Sequence, residues 1–285
     1  MMNILTLNVH GWLEEASYEK LSHLAERIHQ AQYDVVMLQE VNQLMSGPEV
    51  SHDLFCSLQL DEQAVPLKEN NYALVLVKML EELGSSYYFT WGANHIGYDK
   101  YDEGLAILAK QPLQAKSYIV SESSAYDDIA TRTNLKATVQ LNGQYWTVVT
   151  GHFSWWQGDA GELLFKHEWK NALAHMEEVD RSRLIVAGDF NNNSLVRGEG
   201  YDFIRETAPF LVDTYQVADV RRGFATAQGS IDGWAHQTSD KRIDYIFVSK
   251  EINVVSSRVI FDGEHAPVVS DHFGIEVVLD NEWTD

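Results

Sequence analysis

The chain has almost no cysteine and lacks long hydrophobic runs, and both absences exclude whole classes of protein. Cys56 is the only cysteine among 285 residues, so an internal disulfide and a thiolate-bound metal cluster are excluded. No run approaches the roughly 18 uninterrupted apolar residues that a membrane-spanning helix needs. The N-terminal segment MMNILTLNVHGW has no basic region followed by a long apolar stretch, so it predicts a first strand rather than a signal peptide. We therefore expect a cytoplasmic protein without a membrane segment.

Basic residues are also scarce. The chain carries 21 Lys and Arg against 42 Asp and Glu, which gives a formal net charge of −21 at pH 7. Nucleic-acid binding draws much of its affinity from neutralisation of phosphates by Lys and Arg. So acidic a chain repels a polyanion at long range unless a local basic patch or bound cations offset the charge. The composition therefore argues against a nucleic-acid partner without excluding one.

Nothing in the sequence marks a domain boundary. There is no proline-rich linker, no low-complexity tract and no repeat, and 45% of the residues are hydrophobic. A chain of this length and composition can bury a sizeable core. We therefore predict a single domain over residues 1–285.

Short apolar runs alternate with a few amphipathic stretches. The runs that predict strands are NILTLNV, DVVMLQ, LAILA, LKATVQL, YWTVVTG, RLIVAG, RIDYIFVS and FGIEVVL. Helical spacing predicts helices in SYEKLSHLAERIHQAQ, NYALVLVKMLEELG and GELLFKHEWKNALAHMEEV. Roughly three helices among about nine or more strands favour two packed sheets with helices outside over a doubly wound parallel sheet.

Polar residues follow one of the predicted core strands in RLIVAGDFNNN. Asp189 and Asn191 are two apart, so an extended backbone would point both side chains to the same side. Taken alone, the stretch is more typical of a strand followed by a polar turn, because Asp and Asn are common turn residues. It nevertheless places a carboxylate and an amide together at the end of a strand.

The same arrangement recurs along the chain. Other polar residues at or near predicted strand ends are Asn8, Glu40, Glu103, His152, Asp244, Asp271 and His272. Singly, each has a structural explanation, such as a turn for Asn8, a helix N-terminus for Glu40 or a satisfied buried histidine. Together they supply hard oxygen ligands suited to Mg²⁺ or Mn²⁺ and two histidines able to exchange protons near neutral pH. The set lacks the cysteines and close histidine spacing of a zinc site.

Several of these residues lie in ordered motifs that resemble a known superfamily. The motifs are, in chain order, LTLNVHGW, LQEV, EGLAIL, TGHF, GDFN, RIDYIFVS and SDHFGI. This pattern resembles the endonuclease/exonuclease/phosphatase superfamily, which includes DNase I-like nucleases, sphingomyelinases, and inositol and sugar phosphatases. The resemblance implies an α/β (α+β) fold, a DNase I-like four-layer α/β/β/α sandwich, and a metal-dependent phosphoric ester hydrolase.

The resemblance also implies roles for the metal and for the attacking water. Glu40 would be the principal carboxylate ligand of Mg²⁺ or Mn²⁺, with Asn8 and Asp271 close to the same ion. Asp189 and Asn191 would position the water and bind the transferring phosphoryl oxygen.

Histidines and an arginine complete the implied machinery. His272 would contact the phosphate and transfer a proton, held by Asp244, and His152 would serve as a leaving-group acid oriented by Glu103. Arg132, in TRTNLKATV, would bind phosphate, since its guanidinium is always charged and its fork matches phosphate geometry. Whether Asp189 or His272 accepts the proton of the water stays open at this level.

Substrate specificity must come from the loops, because this superfamily hydrolyses monoesters and diesters with the same machinery. Within it, FSWWQGDAGE, FKHEW and DGWAHQTSDKRIDYIFVSK are most similar to bacterial maltose 6'-phosphate phosphatases. That resemblance implies a sugar-phosphate substrate, with Trp155, Trp156 and Trp234 as candidates for contacts to the sugar. We therefore expect a small phosphorylated sugar as the partner, with no membrane involved.

Three alternatives belong to other classes. A Mg-dependent nuclease would use the same catalytic residues but needs a basic footprint, for which the candidates are Arg221, Arg222, Lys241 and Arg242. A sphingomyelinase-like enzyme would need access to a membrane. A non-catalytic binding protein would be expected to have lost part of the site, whereas every matched position is filled. The nuclease is the main alternative to the sugar phosphatase.

Overall fold

The computed structural model describes residues 1–59, 65–229 and 239–280, and within them two β-sheets lie face to face. The larger sheet contains β1 (Met2–Asn8), β2 (Val35–Gln39), β3 (Gln43–Leu44), β4 (Tyr88–Gly97), β5 (Tyr101–Ala109), β11 (Val220–Arg222), β13 (Asn253–Ile260) and β14 (Gly274–Asp280). The smaller sheet contains β6 (Leu113–Ile119), β7 (Thr133–Leu141), β8 (Gln144–His152), β9 (Leu184–Asp189), β10 (Leu211–Asp213) and β12 (Asp244–Ser249).

Helices cover the outer face of each sheet. They are α1 (Ser17–Ala31) and α2 (Tyr72–Glu82) on the larger sheet and α3 (Leu164–Ala174) and α4 (Gly200–Thr207) on the smaller one, whereas the short α5 (Thr214–Val217) contacts strands of both sheets. The helix predicted from GELLFKHEWKNALAHMEEV is shorter than expected at both ends. Gly161, with φ +90°, lies in a turn before it, and beyond its end the amide of Met176 bonds to the carbonyl of Leu173, as in a tight turn. No helix among the described residues is both long and apolar enough to cross a membrane.

Three apolar layers hold the sheets and helices together. Alternate residues of a strand face opposite sides, so Ile4 of β1 packs between the sheets while Leu5 packs under α1 and α2. On the smaller sheet, Ile185 of β9 faces the same inter-sheet layer and Val186 packs under α3 and α4. This arrangement of helix, sheet, sheet and helix confirms the predicted four-layer α/β/β/α sandwich.

The strand order brings particular strand ends to one edge of the sandwich. β1 and β2 are parallel neighbours at the centre of the larger sheet, and β8 and β9 are parallel neighbours at the centre of the smaller one. The carboxyl ends of parallel neighbours meet at the same edge. Residues that follow these four strands therefore lie next to one another across the two sheets.

Candidate active site

Register aligns three site residues across the smaller sheet. His152 is paired with Asp189 where β8 and β9 end, and Asp189 is paired with Asp244 where the antiparallel strand β12 begins. Residues directly opposite in neighbouring strands point to the same face, so the three side chains lie side by side. All three are buried, and Asp189 and Asp244 are each 1% exposed.

Asn8 joins this row to the larger sheet. Its Nδ2 donates to Oε1 of Glu40 at 2.7 Å and to Oδ2 of Asp189 at 3.1 Å. Nε2 of His152 lies 3.9 Å from Oε1 of Glu40 and 3.6 Å from Oδ2 of Asp189. The structure thus brings together residues that are up to 181 positions apart in sequence.

Two residues that come just after strand ends adopt left-handed backbone conformations. Glu40 has φ 53° and Asn191 has φ 48°. For residues other than glycine this conformation costs roughly 1–2 kcal/mol, and such residues cluster where geometry serves a function. The turn at Asn191 lets its backbone amide donate to Oδ1 of Asp189 at 2.9 Å. Since Asn8 donates to the other oxygen, both oxygens of Asp189 are held by amide donors.

His272 and Asp244 form the tighter of two histidine–carboxylate pairs. Nδ1 of His272 lies 3.0 Å from Oδ2 of Asp244, and the two side chains are almost fully buried. Because a carboxylate accepts, this bond places a proton on Nδ1 and leaves Nε2 directed at Asp189, 3.7 Å from its Oδ2. Burial alone would lower the pKa of His272, but Asp244 and Asp189 raise it well above the usual value.

His152 and Glu103 form the looser pair. Nδ1 of His152 lies 3.7 Å from Oε1 of Glu103 and has no hydrogen-bond partner among the described residues. A β-bulge between Ala93 and His95 places His95 opposite Glu103, with its Nε2 3.5 Å from the same carboxylate oxygen. Burial raises the pKa of Glu103, but the two histidines and the nearby Arg132 lower it to about 2. Glu103 is therefore a shared anion between two imidazoles.

Arg132 approaches this pair from the beginning of β7. Its Nε donates to Oγ of Ser154 at 3.4 Å, and the amide of Ser154 donates to Glu168 of α3 at 2.8 Å. Arg132 is 7% exposed, which argues against a surface role at a strand edge. Arg132 is buried next to the carboxylates of Glu103 and Glu168 and next to the histidines. At this position its guanidinium could bind an anionic ligand.

The tryptophans predicted to contact a sugar differ in placement. Trp155 is 37% exposed. Trp156 packs against Phe165 of α3 and Phe203 of α4, at ring-centroid distances of 6.5 and 5.9 Å, on the outer face of the smaller sheet. Trp234 lies outside the described residues. The arrangement gives Trp156 a packing role, and its predicted contact with a sugar stays a prediction, as does that of Trp155.

Comparison with known proteins places this geometry in a family. The model of the Endonuclease/Exonuclease/phosphatase family matches residues 5–272. The chain belongs to the endonuclease/exonuclease/phosphatase family. Enzymes of this family hydrolyse phosphoester bonds and generally use a divalent metal ion. None of the curated proteins matches the chain.

Solved structures share the fold over almost the full chain. An endonuclease/exonuclease/phosphatase family protein from Leptotrichia buccalis is 32% identical with a TM-score of 0.80, and the match covers 98% of this chain and 100% of that one. A mannosyl-6-phosphatase from Bacteroides thetaiotaomicron is 18% identical, with a TM-score of 0.67 and coverage of 98% and 100%. TDP2 from D. rerio, solved with a single-strand DNA product, is 18% identical, with a TM-score of 0.61 and 98% coverage of both chains.

The donor set fits a divalent cation of the kind this family uses. Glu40 is 15% exposed, and burial together with the neighbouring Glu103 and Asp271 raises the pKa of its carboxyl. A cation would relieve this crowding of carboxylates. The side-chain oxygen Oδ1 of Asn8 accepts from the backbone amide of His10 at 3.1 Å, so Asn8 orients Glu40 through its side-chain nitrogen Nδ2. Its predicted role as an oxygen ligand stays a prediction.

The sequence reasoning missed two residues beside this donor set. Nδ1 of His10 lies 2.8 Å from Oε1 of Glu14 and 3.8 Å from Oδ1 of Asp271, and the amide of Asp271 donates to Glu14 at 3.1 Å. The motif LTLNVHGW contains His10, two residues after Asn8, and Glu14 follows at a spacing of four. That spacing was the signal available, although only the turn after β1 brings both side chains to Asp271.

Proposed function

We propose that the protein is a divalent-metal-dependent phosphomonoesterase that releases phosphate from a sugar phosphate such as maltose 6'-phosphate. The observation that carries the hydrolytic part is the position of Asp189. Nε2 of His152 lies 3.6 Å and Nε2 of His272 lies 3.7 Å from the same Oδ2, while amide donors hold both carboxylate oxygens. A fixed carboxylate between two imidazoles is suited to water attack and proton exchange at one phosphorus atom.

Asp189 and the two histidines beside it would then have different roles in the hydrolysis. Asp189 would orient the attacking water, and His272, whose Nδ1 is committed to Asp244, would present Nε2 to the phosphoryl group. On the other side, His152 would deliver a proton to the departing sugar oxygen. The P–O bond to the sugar would break as the P–O bond to water forms, which yields the free sugar and inorganic phosphate.

Charge neutralisation would come from Arg132 and from the ion. Arg132 would bind the phosphate oxygens from the β7 side. A divalent ion held by Glu40 and Asp271 would stabilise the negative charge that builds up on phosphate during attack. Both sites lie at the strand edge that carries Asp189.

The burial of two of the four basic residues considered for nucleic-acid binding supports a small substrate. Arg242 is 1% exposed and donates from both terminal nitrogens to the carboxylate of Asp213, and Lys241 is fully buried and donates to the carbonyl of Gly229 at 2.7 Å. Both residues therefore form hydrogen bonds inside the protein and are not placed to bind nucleic acid at the surface. A polynucleotide would need more surface cations than remain from that set.

Two observations favour a nuclease as the second candidate. Arg221 and Arg222 are exposed on β11, at the edge of the larger sheet. TDP2, whose structure contains a DNA product, shares the fold. A nuclease would place its polynucleotide along this edge.

Phosphate release from a panel of substrates tests the proposal. The panel contains maltose 6'-phosphate, trehalose 6-phosphate, glucose 6-phosphate and a nucleoside monophosphate, each with Mg²⁺ or with EDTA, beside a plasmid-nicking assay. We expect metal-dependent release from a sugar phosphate and an intact plasmid. Nicking without release of phosphate would overturn the phosphatase and support the nuclease. Fractionation of the source cells would test the predicted cytoplasmic location.

A further inference from the structure

A cavity of about 570 Å³ opens at the side of the sandwich, between β4 and β6, the edge strands of the two sheets. Along β6 the residues that face the inter-sheet layer are Leu113, then Ala115, then Ser117. A Cβ built on Gly92 of β4 would lie 3.5 Å from that of Ser117, so the missing side chain keeps the gap open. The apolar inter-sheet layer thus ends in a space with polar walls.

The described part of the cavity wall carries no formally charged side chain. None of its described lining residues is Asp, Glu, Lys or Arg. They include aromatic rings from Phe55, Tyr118 and Tyr126 and hydroxyls from serines and threonines. Burial and the neighbouring Lys136 lower the pKa of His175, which also lines the cavity, and its ring stacks on Tyr118. The walls therefore suit a neutral ligand with hydrogen-bonding groups.

One polar group in the lining lacks a partner. Asn94 is 2% exposed, its Oδ1 accepts from the hydroxyl of Thr133, and its Nδ2 has no hydrogen-bond partner in the described part of the chain. A buried amide donor without a partner is unfavourable, because it has lost its hydrogen bonds to water and gained none in return. A hydroxyl group of a ligand in the cavity would satisfy it.

Two residues that line the cavity are chain neighbours of residues in the candidate active site. Asn94 lines the cavity and its chain neighbour His95 contacts Glu103. Thr131 also lines the cavity, its carbonyl accepts from Nδ1 of His95 at 2.9 Å, and it directly precedes Arg132. The cavity therefore lies beside the active site, one residue away along β4 and along the segment that leads into β7.

We propose that this cavity binds the uncharged, hydroxyl-bearing leaving group of the substrate while its phosphate contacts Arg132 and His152. The assignment rests on the proposed function, because it takes the phosphate to be bound in the site already described. A polynucleotide would bring further phosphates to a wall that has no Lys or Arg among its described lining residues. An aromatic and amide-lined space of this size accommodates a sugar ring or a disaccharide.

Ser117→Phe tests the assignment by filling the cavity. Gln114→Phe is the matched control, because Gln114 is exposed on the opposite face of the same strand. Asn94→Ala, which removes the unpaired donor, is a second and milder variant in case the first disturbs folding. Far-UV circular dichroism and the thermal midpoint check that each variant is folded.

Two readouts separate the cavity from the chemistry. The first readout is the binding of unphosphorylated maltose, trehalose and glucose at millimolar concentration. It is measured by calorimetry and by tryptophan fluorescence, to which Trp91 in the cavity wall contributes. The second is kcat/KM for the sugar phosphate against that for methyl phosphate, whose leaving group is too small to reach the cavity.

We expect Ser117→Phe to weaken sugar binding at least tenfold and to raise KM for the sugar phosphate at least tenfold. Asn94→Ala should cause a several-fold loss of both, and Gln114→Phe should change neither. Methyl phosphate should be hydrolysed at wild-type efficiency by all three variants. Sugar binding that Ser117→Phe abolishes, in a protein that hydrolyses no phosphomonoester, would refute the proposed function and still support the cavity.

Active phosphatase with an unchanged KM in both cavity variants would overturn the cavity assignment alone. The same conclusion would follow if the wild-type protein bound none of the three sugars. If methyl phosphate hydrolysis fell in parallel with sugar phosphate hydrolysis, the substitutions would act on the catalytic residues, and the assignment would again fail.

Discussion

The two histidine–carboxylate pairs of the site have the same residue chemistry but different geometry. In the first, Nδ1 of His272 lies 3.0 Å from Asp244, within hydrogen-bond distance. In the second, Nδ1 of His152 lies 3.7 Å from Glu103, and this carboxylate also faces His95 at 3.5 Å. One carboxylate serves one imidazole and fixes its tautomer, whereas the other supplies charge to two imidazoles and a guanidinium.

The position of each pair in the sheets explains the contrast. Asp244 begins β12, next to the central strand β9. Its backbone amide donates to the hydroxyl of Thr226 at 3.1 Å, which holds the start of the strand in place. Glu103 belongs to β5, opposite a β-bulge in β4 that brings a second histidine to it. The regular register thus supports the hydrogen-bonded pair of His272 and Asp244, called here the closed pair. The bulge supports the wider pair of His152 and Glu103, called the open pair.

The largest expected effect is the loss of the closed pair. His272→Ala and Asp244→Asn should each lower turnover by about a thousandfold or more, because one removes the imidazole and the other loses the tautomer that presents Nε2. Asp189→Asn should have a similar effect. Steady-state phosphate release at saturating metal measures the change, with unchanged circular dichroism as the control. Wild-type turnover in any of these variants would refute the roles proposed for them.

Disruption of the open pair should lower turnover less than disruption of the closed pair. Glu103→Gln should lower turnover by roughly 10- to 100-fold, since its carboxylate supplies charge to His152 without a hydrogen bond at Nδ1. The same assay, with Glu103→Gln and Asp244→Asn compared in parallel, measures the ratio. Equal losses in the two variants would remove the distinction between the pairs.

Glu40→Gln should change the response to metal more than it changes turnover. We expect the Mg²⁺ concentration for half-maximal activity to rise by about 10- to 100-fold, because the half-buried Glu40 carboxylate is the principal ligand expected for the ion. A titration of activity with Mg²⁺ measures this shift. Asp271→Asn is the comparison, and a larger shift in that variant would make Asp271 the principal ligand.

The smallest effect is expected at His95. His95→Gln keeps a polar side chain beside Glu103 and should lower turnover by less than about tenfold, because the residue acts on the open pair through a shared carboxylate. Combining it with Glu103→Gln should add little further loss, since both changes disturb the same contact. Additive losses in the double variant would show that His95 acts independently of Glu103.

Much of the fold and of the site was predictable from local patterns. Strands such as RLIVAG have alternate faces that serve two apolar layers, and short apolar runs of this kind are visible without any long-range information. Likewise, polar residues such as Asp189 stand at strand ends because the chain leaves the core there. These features depend on neighbours in sequence, which is why the motifs were sufficient.

The sequence could not show where its basic and aromatic residues lie. Lys241 and Arg242 looked like surface cations, but the structure buries both, because Asp213 and a backbone carbonyl accept their hydrogen bonds. Trp156 packs under the helices instead of among the catalytic residues. Burial of a charged or aromatic side chain depends on partners that are distant along the chain.

The sequence by itself determined the residue types of the site, the strand ends that carry them and the layered sandwich. Only the tertiary structure decided that Asn8 bridges Glu40 and Asp189, that His10 and Glu14 join Asp271, and that the two histidine pairs differ. The physical reason is that propensity and apolar spacing act over a few residues. Strand order, register and a single bulge fix distances between residues that the chain separates widely.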